Sequence, residues 1–162
     1  MNKAIFLDRD GTINVDHGYM HDTSLLEFMP GVIEALQRLS KDGYLLIIIT
    51  NQSGIGRGYF TAEQYKLFND SLVERLQSKG IEITATLMCP HAPSDNCNCR
   101  KPYPYMVLKA IDEFEIDPNL SYMFGDKPSD VECGEAAGVT SRQITKEADL
   151  QYWANEIIEK RL

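Results

Sequence analysis

Positive charge is scarce in this chain: 16 Lys and Arg residues stand against 24 Asp and Glu, which leaves a net charge of −8. A protein whose main partner is nucleic acid or an anionic membrane needs a basic face, so this balance argues against both partners. Long hydrophobic runs are also missing, because the longest, from Tyr44 to Ile49, is too short to span a bilayer. The apolar run that follows Lys3 is too short for a signal peptide, so we expect a cytoplasmic protein.

Cysteine is sparse as well, with four residues in the chain, and three of them crowd around one histidine. A disulfide framework would spread its cysteines, whereas thiolate and imidazole ligands close together suit tetrahedral Zn²⁺. We therefore predict a structural zinc site formed by Cys89, His91, Cys97 and Cys99. The alternative is a set of unrelated core cysteines, which is how we interpret Cys133.

Short β-branched runs alternate with helical patterns along the chain. The pattern predicts buried strands at Lys3–Leu7, Tyr44–Thr50, Ile83–Met88 and Ser121–Phe124. Helices are predicted around Val32–Leu39, from Thr61 with a capping box to Gln64, from Pro104 to about Phe114, over Ser129–Ala137 before Gly138, and from about Ala148 to Lys160. This alternation predicts a doubly wound α/β fold with a mostly parallel sheet, in a single domain spanning residues 1–162.

Polar residues follow each predicted strand, where ligands bind in such sheets. They fall in the segments 8–12, 50–53, 89–101 and 125–127. Asp8 and Asp10 leave a buried strand two residues apart, and their mutual repulsion favours a Mg²⁺ ion between them. One carboxylate then acts as a nucleophile and the other as a general acid and base. A lone Asp-x-Asp is usually a solvated turn, but the apolar residues before it and Gly11-Thr12 after it favour a site.

The run Phe6-Leu7-Asp8-Arg9-Asp10-Gly11-Thr12 resembles the first motif of the haloacid dehalogenase superfamily of phosphohydrolases. The resemblance implies a phosphatase in which Asp8 is the nucleophile, Asp10 the acid and base, and Thr50 and Lys101 bind the transferring phosphoryl group. It also implies that Mg²⁺ is held by Asp8, the main-chain carbonyl of Asp10 and Asp126, with Asp130 in support. The intervals between these motifs leave no room for a cap domain, so we expect an open site.

The zinc loop, with Cys89-Pro90-His91 and Cys97-x-Cys99-Arg100-Lys101, resembles two groups within this superfamily: heptose-bisphosphate phosphatases and histidinol-phosphate phosphatases. The segments 13–19 and 51–58 resemble the heptose group, whose substrate is a small phosphorylated sugar and in which the 7-phosphate of D-glycero-D-manno-heptose 1,7-bisphosphate is removed. That resemblance implies substrate contacts at Asp16, His17, Gly18, Tyr19, Thr50, Asn51, Gln52, Ser53, Arg100 and Lys127. Histidinol phosphate remains the alternative substrate, and we expect a monomer. After Gly138 the chain departs from the pattern, since residues 140–145 lack the expected glycine-containing strand end.

Two other classes of protein share some of these features. A zinc-ribbon binding module would use the cysteines, but it needs a basic face and leaves the aspartates unexplained. A phosphomutase shares the aspartyl-phosphate step, but it needs a cap to exclude water. The phosphatase interpretation accounts for both the cysteines of the zinc loop and the aspartates.

Overall fold

Five short strands form one parallel sheet in the computed structural model, which describes residues 1–162. They are β1 (Ala4–Leu7), β2 (Leu45–Asn51), β3 (Ala85–Cys89), β4 (Tyr122–Gly125) and β5 (Thr140–Gln143). The spatial order is β3-β2-β1-β4-β5, so the direction of winding reverses at β1. The predicted doubly wound α/β fold is confirmed, and the four predicted strands lie within two residues of their predicted ends.

Six helices connect and flank the strands. They are α1 (Val32–Lys41), α2 (Ser53–Gly56), α3 (Ala62–Gln77), α4 (Tyr105–Glu113), α5 (Pro128–Ala136) and α6 (Leu150–Ile158). The predicted capping box is present at the start of α3, where the Gln64 amide donates to Thr61 Oγ1 at 3.1 Å and the Thr61 amide donates to Gln64 Oε1 at 2.8 Å. The short α2 was not predicted, because its sequence Ser-Gly-Ile-Gly has low helix propensity and gives no periodic signal.

Strands β1, β2 and β4 are buried on both sides, as their nearly continuous apolar sequences predict. Alternate residues of a strand point to opposite faces, so Ile5 and Leu7 of β1 join one core while Ala4 and Phe6 join the other. The first core takes the apolar stripes of α1, α3 and α6, and the second takes those of α4 and α5. This two-sided burial fixes the strands rigidly and leaves their carboxyl ends as the one edge where polar side chains converge.

The fifth strand lies where the sequence pattern left the sheet undefined. Its residues, Thr-Ser-Arg-Gln, are polar, which the exposure of an edge strand permits, and only Ser141 is fully buried. A Cβ atom added at Gly134 of α5 would lie 2.0 Å from Ser141 Oγ and 2.9 Å from Met123 Cβ. The small residue therefore lets α5 approach β4 and β5 closely, and this close packing specifies the edge strand.

The connections after β1 and β2 hold few elements. Residues 8–44 contain one turn of 3-10 helix, Thr23–Leu25, and α1, while residues 52–84 contain α2 and α3, so neither connection forms a cap domain. None of the helices combines the length and apolar character that crossing a bilayer requires.

Candidate active site

The ends of three central strands and the loop after β3 surround a cavity of about 360 Å³. Two of the lining residues follow β1, namely Asp8 and Asp10, and two end β2, namely Thr50 and Asn51. The predicted site residues that line the cavity are Asp8, Asp10, Asp16, Gly18, Tyr19, Thr50, Asn51, Gln52, Ser53, Arg100, Lys101 and Lys127. His17 is exposed and does not line it, and Asp126 lies beside it, within 4.8 Å of the Asp8 and Asp130 carboxylates.

Lys101 lies at the centre of the site with only 4% of its surface exposed. Its Nζ donates to Asp8 Oδ1 at 2.7 Å, to Asp130 Oδ1 at 2.6 Å and to the carbonyl of Ile49 at 2.8 Å. Burial opposes the charge on Lys101, but Asp8 and Asp130 outweigh it and raise the pKa of the amino group. Lys101 is therefore a permanent cation beside Asp8.

Three carboxylates crowd around this one lysine. Asp8, Asp126 and Asp130 each bring an oxygen atom within 4.8 Å of the others. Burial raises the pKa of Asp8, although Lys101 opposes the rise, and burial together with Asp8 raises the pKa of Asp126 to about 6. Asp126 Oδ1 is buried without any hydrogen-bond partner. This donor set fits a hard divalent cation such as Mg²⁺, which takes carboxylate oxygens and would relieve the repulsion.

Asp130 uses both of its oxygens within the protein. Oδ1 accepts from Lys101 and Oδ2 accepts from the main-chain amide of Lys127 at 3.0 Å, at the start of α5. A Cβ atom at Gly125 would lie 2.2 Å from this carboxylate, so only glycine lets it approach the end of β4. Asp130 thereby holds Lys101 against the strand ends.

Two amide side chains that were expected to contact substrate also bind groups of the protein. Asn51 pairs with the main chain of Lys101, donating to its carbonyl at 3.2 Å and accepting from its amide at 3.0 Å. Gln52 Nε2 donates to Thr50 Oγ1 at 2.9 Å and to Asp10 Oδ2 at 3.2 Å. Both residues line the cavity, and their side chains also fix the positions of Lys101, Thr50 and Asp10.

The segment 16–19 forms a tight loop at the mouth of the cavity. Asp16 Oδ1 accepts from the Gly18 amide at 2.8 Å, and Gly18 and Tyr19 both adopt positive φ angles, of 90° and 46°. The Tyr19 ring packs edge-on against Tyr59 with ring centroids 4.7 Å apart. The loop is thus shaped by one hydrogen bond within it and by the packing of Tyr19 on a residue outside it.

Besides Lys101, three cationic side chains line the same cavity despite the acidic composition of the chain: Arg57, Arg100 and Lys127. Arg100 Nη1 is buried without a hydrogen-bond partner in the protein. Arg57 is held by its Nε, which donates to Ser53 Oγ at 3.3 Å. Such a cluster favours an anionic ligand.

Three of the four predicted zinc ligands come together. The Cys89 sulfur lies 2.7 Å from that of Cys99 and 3.6 Å from that of Cys97, and all three lie within 4.8 Å of one another. Burial and the neighbouring Cys99 raise the pKa of the Cys89 thiol to about 12. His91 is exposed and is not part of this group.

Sequence reasoning missed Arg9, which is fully buried next to Asp10. The signal was present, because a charged residue between two aspartates follows a strand that is buried on both faces. A charge there requires partners, and the residues that supply them are distant in sequence.

The raised pKa of Asp126 leads to a prediction about stability. Between its ordinary pKa of 3.8 and its folded-state value of about 6, the folded protein holds a proton that the unfolded chain releases. Stability therefore falls as the pH rises through this window, and above it the ionised carboxylate exerts its full cost. We expect Asp126→Asn, in magnesium-free buffer at pH 7.5, to raise the free energy of unfolding by about 1–2 kcal/mol. Below the ordinary pKa the variant and the parent should be equally stable.

Urea unfolding at pH 7.5 and at a pH below 3.8 measures the difference in the free energy of unfolding between the variant and the parent. Asp112→Asn is the matched control, because Asp112 is exposed on α4, and it should change stability equally at both. A variant that is less stable than the parent at pH 7.5 would contradict the proposed repulsion.

Comparison with known proteins places this geometry in a family. The family model for haloacid dehalogenase-like hydrolases matches residues 15–138. A protein of Pasteurella multocida strain Pm70, named D-glycero-beta-D-manno-heptose-1,7-bisphosphate 7-phosphatase, is 44% identical over 172 aligned residues, which cover 98% of this chain and 92% of that protein. The protein of the same name from Escherichia coli K12 is 44% identical over 160 residues, covering 90% and 84% of the two chains.

A solved structure is also similar. The D,D-heptose 1,7-bisphosphate phosphatase of B. bronchiseptica, complexed with magnesium and phosphate, superposes with a TM-score of 0.89 at 27% identity, covering 98% of this chain and 99% of the other. The family model begins after the motif at the end of β1 and covers most of the rest of the chain, while the relative from Pasteurella multocida and this structure each align with 98% of the chain. The chain belongs to the haloacid dehalogenase-like hydrolases.

Proposed function

We propose that this protein is a magnesium-dependent phosphatase that removes the 7-phosphate of D-glycero-D-manno-heptose 1,7-bisphosphate through a phosphorylated Asp8. The observation that carries the proposal is the placement of Asp8 on the cavity wall, paired with the buried Lys101 and surrounded by cationic side chains. The similarity to proteins named as heptose-bisphosphate phosphatases supports the choice of substrate.

The chemistry proceeds in two steps. In the first, an Asp8 oxygen attacks phosphorus, the bond from phosphorus to the sugar oxygen breaks, and Asp10 gives its proton to that oxygen. In the second, Asp10 takes a proton from water, which attacks phosphorus and releases inorganic phosphate and free Asp8. Lys101 and Thr50 stabilise charge on the phosphoryl oxygens during both steps.

The metal ligands would be Asp8, the main-chain carbonyl of Asp10 and Asp126. Magnesium, when bound, supplies a positive charge that offsets the Asp8 carboxylate and the phosphoryl oxygens. The unpartnered, buried Asp126 Oδ1 and the repulsion between the carboxylates support this assignment.

The first test concerns the nucleophile. Asp8→Asn replaces the attacking carboxylate by an amide of the same shape, so we expect kcat to fall by roughly 10³-fold or more while the fold persists. Phosphate release measures turnover, and circular dichroism checks folding. Asp70→Asn on α3, which removes an exposed carboxylate, should leave kcat unchanged. Near-normal turnover in Asp8→Asn would refute the mechanism.

Arg100 provides the test of the substrate. A bisphosphate brings a second dianion, and Arg100, which lines the cavity and has an unpartnered Nη1, would bind it with support from Arg57 and Lys127. Histidinol phosphate instead brings a cationic amine, which this cluster repels. We expect Arg100→Ala to raise KM for the heptose bisphosphate roughly 10- to 100-fold, the value of a hydrogen bond between charged groups, and to leave KM for 4-nitrophenyl phosphate within about threefold.

Steady-state kinetics on heptose bisphosphate, 4-nitrophenyl phosphate and histidinol phosphate measure these differences. Arg142→Ala on the edge strand β5 is the control, because it removes a partly buried arginine that does not line the cavity. A higher kcat/KM for histidinol phosphate, or an equal effect of Arg100→Ala on both sugar and aryl substrates, would refute the heptose assignment and leave the phosphatase activity standing.

We also propose that Cys89, His91, Cys97 and Cys99 hold a structural zinc ion. The closeness of the three sulfurs supports this, and His91 lies between Cys89 and Cys97 on the same loop. The ion would fix the segment that carries Arg100 and Lys101, which follow Cys99 directly.

Zinc content tests this site. We expect about one zinc per chain in protein purified without chelator and none in Cys97→Ser, which should also unfold at a lower temperature and have a higher KM. Elemental analysis and thermal unfolding provide the measurements. Cys133→Ser is the control, because Cys133 lies on α5 outside the cluster and its loss should leave the zinc content unchanged. Absence of zinc from the parent protein would refute the assignment.

A further inference from the structure

Arg9 is the largest fully buried side chain in the protein, and none of the roles described above uses it. Its guanidinium group grips the Asp10 carboxylate with two hydrogen bonds, from Nε to Oδ1 at 2.8 Å and from Nη2 to Oδ2 at 3.2 Å. This bidentate arrangement fixes the plane of the carboxylate as well as its position. The Asp10 side chain keeps 17% of its surface exposed and lines the cavity, so its held position faces the substrate.

The guanidinium group is itself fixed by contacts from three other directions. Nη1 donates to Asn69 Oδ1 at 3.4 Å, and Nη2 also donates to the carbonyl of Met20 at 3.3 Å. The rings of Phe68 and Tyr65 on α3 lie 4.7 Å and 5.4 Å from the guanidinium carbon. An arginine that only neutralised a carboxylate would not require this cage, and burying one is costly unless its donors are satisfied.

The contact to Asn69 extends the chain of hydrogen bonds into the body of the fold. Asn69 is 8% exposed on α3, and its Nδ2 donates to Thr86 Oγ1 of β3 at 3.2 Å. The orientation of Arg9 is thereby tied to one helix and one strand, neither of which contributes a predicted catalytic residue. Rigid support of this kind is what a proton-transferring group needs, because a displacement of about 1 Å can cost roughly 10²-fold in rate.

We propose that Arg9 is a positioning residue that holds Asp10 in the orientation for proton transfer to the leaving oxygen, and that Asn69 holds Arg9. The proposal rests on the proposed function, in which Asp10 is the general acid. Helix α3 would then support catalysis indirectly, because its Asn69 holds Arg9 and Arg9 holds Asp10.

The test uses a series of substituted phenyl phosphates, from 4-nitrophenyl phosphate to phenyl phosphate. These substrates are similar in size, but phenolate is the poorer leaving group and depends more on protonation. The ratio kcat/KM reports the step in which the phosphorus–oxygen bond breaks. We expect Arg9→Gln to lower kcat/KM by roughly 10- to 100-fold for phenyl phosphate and by less than about threefold for 4-nitrophenyl phosphate. Arg9→Lys keeps the positive charge but cannot make the two parallel hydrogen bonds of a guanidinium group. It should give an intermediate loss of kcat/KM for phenyl phosphate.

Several variants separate positioning from a general loss of stability. Asn69→Ala should show the same leaving-group dependence as Arg9→Gln with a smaller amplitude, and it decides the matter if Arg9→Gln fails to fold. Arg38→Gln is the control, because it removes a half-buried arginine that joins α1 to α6 away from the cavity, and it should leave the series unchanged. An equal loss across the series, or no loss, in the Arg9 and Asn69 variants would overturn the proposal.

Asp10→Asn, measured on the same series of substrates, separates the role of Asp10 as general acid from the positioning role of Arg9. If Asp10→Asn steepens the leaving-group dependence and the Arg9 variants do not, the positioning role is wrong and the proposed function stands. If Asp10→Asn itself shows no leaving-group dependence, the role of Asp10 is wrong and the inference about Arg9 falls with it.

Discussion

The buried amino group of Lys101, held among carboxylates at the carboxyl edge of the sheet, is the interaction on which the site depends. Asp8 and Asp130 supply its counter-charges at 2.7 and 2.6 Å, while the carbonyl at the end of β2 takes its third donor. Removing both carboxylates would leave the buried positive charge without a counter-charge, which is costly. The lysine therefore requires the ends of β1 and β2 and the start of α5 to lie close together.

The scaffold satisfies that requirement because it is buried on both sides. Strands β1, β2 and β4 have little freedom to shift between two apolar layers, so their last residues are held at fixed spacing. Glycine at 125 then lets the Asp130 carboxylate approach the backbone, and the Asn51 side chain pairs with the main chain of Lys101. Core packing sets the positions of the strand ends, and the hydrogen bonds then set the orientations of the side chains.

Charge is distributed unevenly in this molecule. The chain as a whole is strongly acidic, yet Arg57, Arg100, Lys101 and Lys127 line a single cavity. A concave site walled by protein makes each of these charges more effective than it would be on an open surface. The composition argued against a basic binding face, but composition reports nothing about a local cluster of cations.

The sequence alone determined the doubly wound sheet, four of its strands and the motif at the end of β1, because continuous apolar runs and helical periods are local patterns that burial enforces. It also indicated Asp8, Lys101 and Asp126 as neighbours, since the carboxyl ends of parallel strands share one edge. The tertiary structure alone decided the edge strand β5, which depends on the close approach of Gly134 to Ser141, and the partners of Asn51, Gln52 and Arg9. Arg9 and Asn69 are 60 residues apart, and nothing in either local sequence marks the other as its partner. Pairings of this kind follow from packing in three dimensions, where the free energy of burying a polar group depends on which distant residues satisfy it.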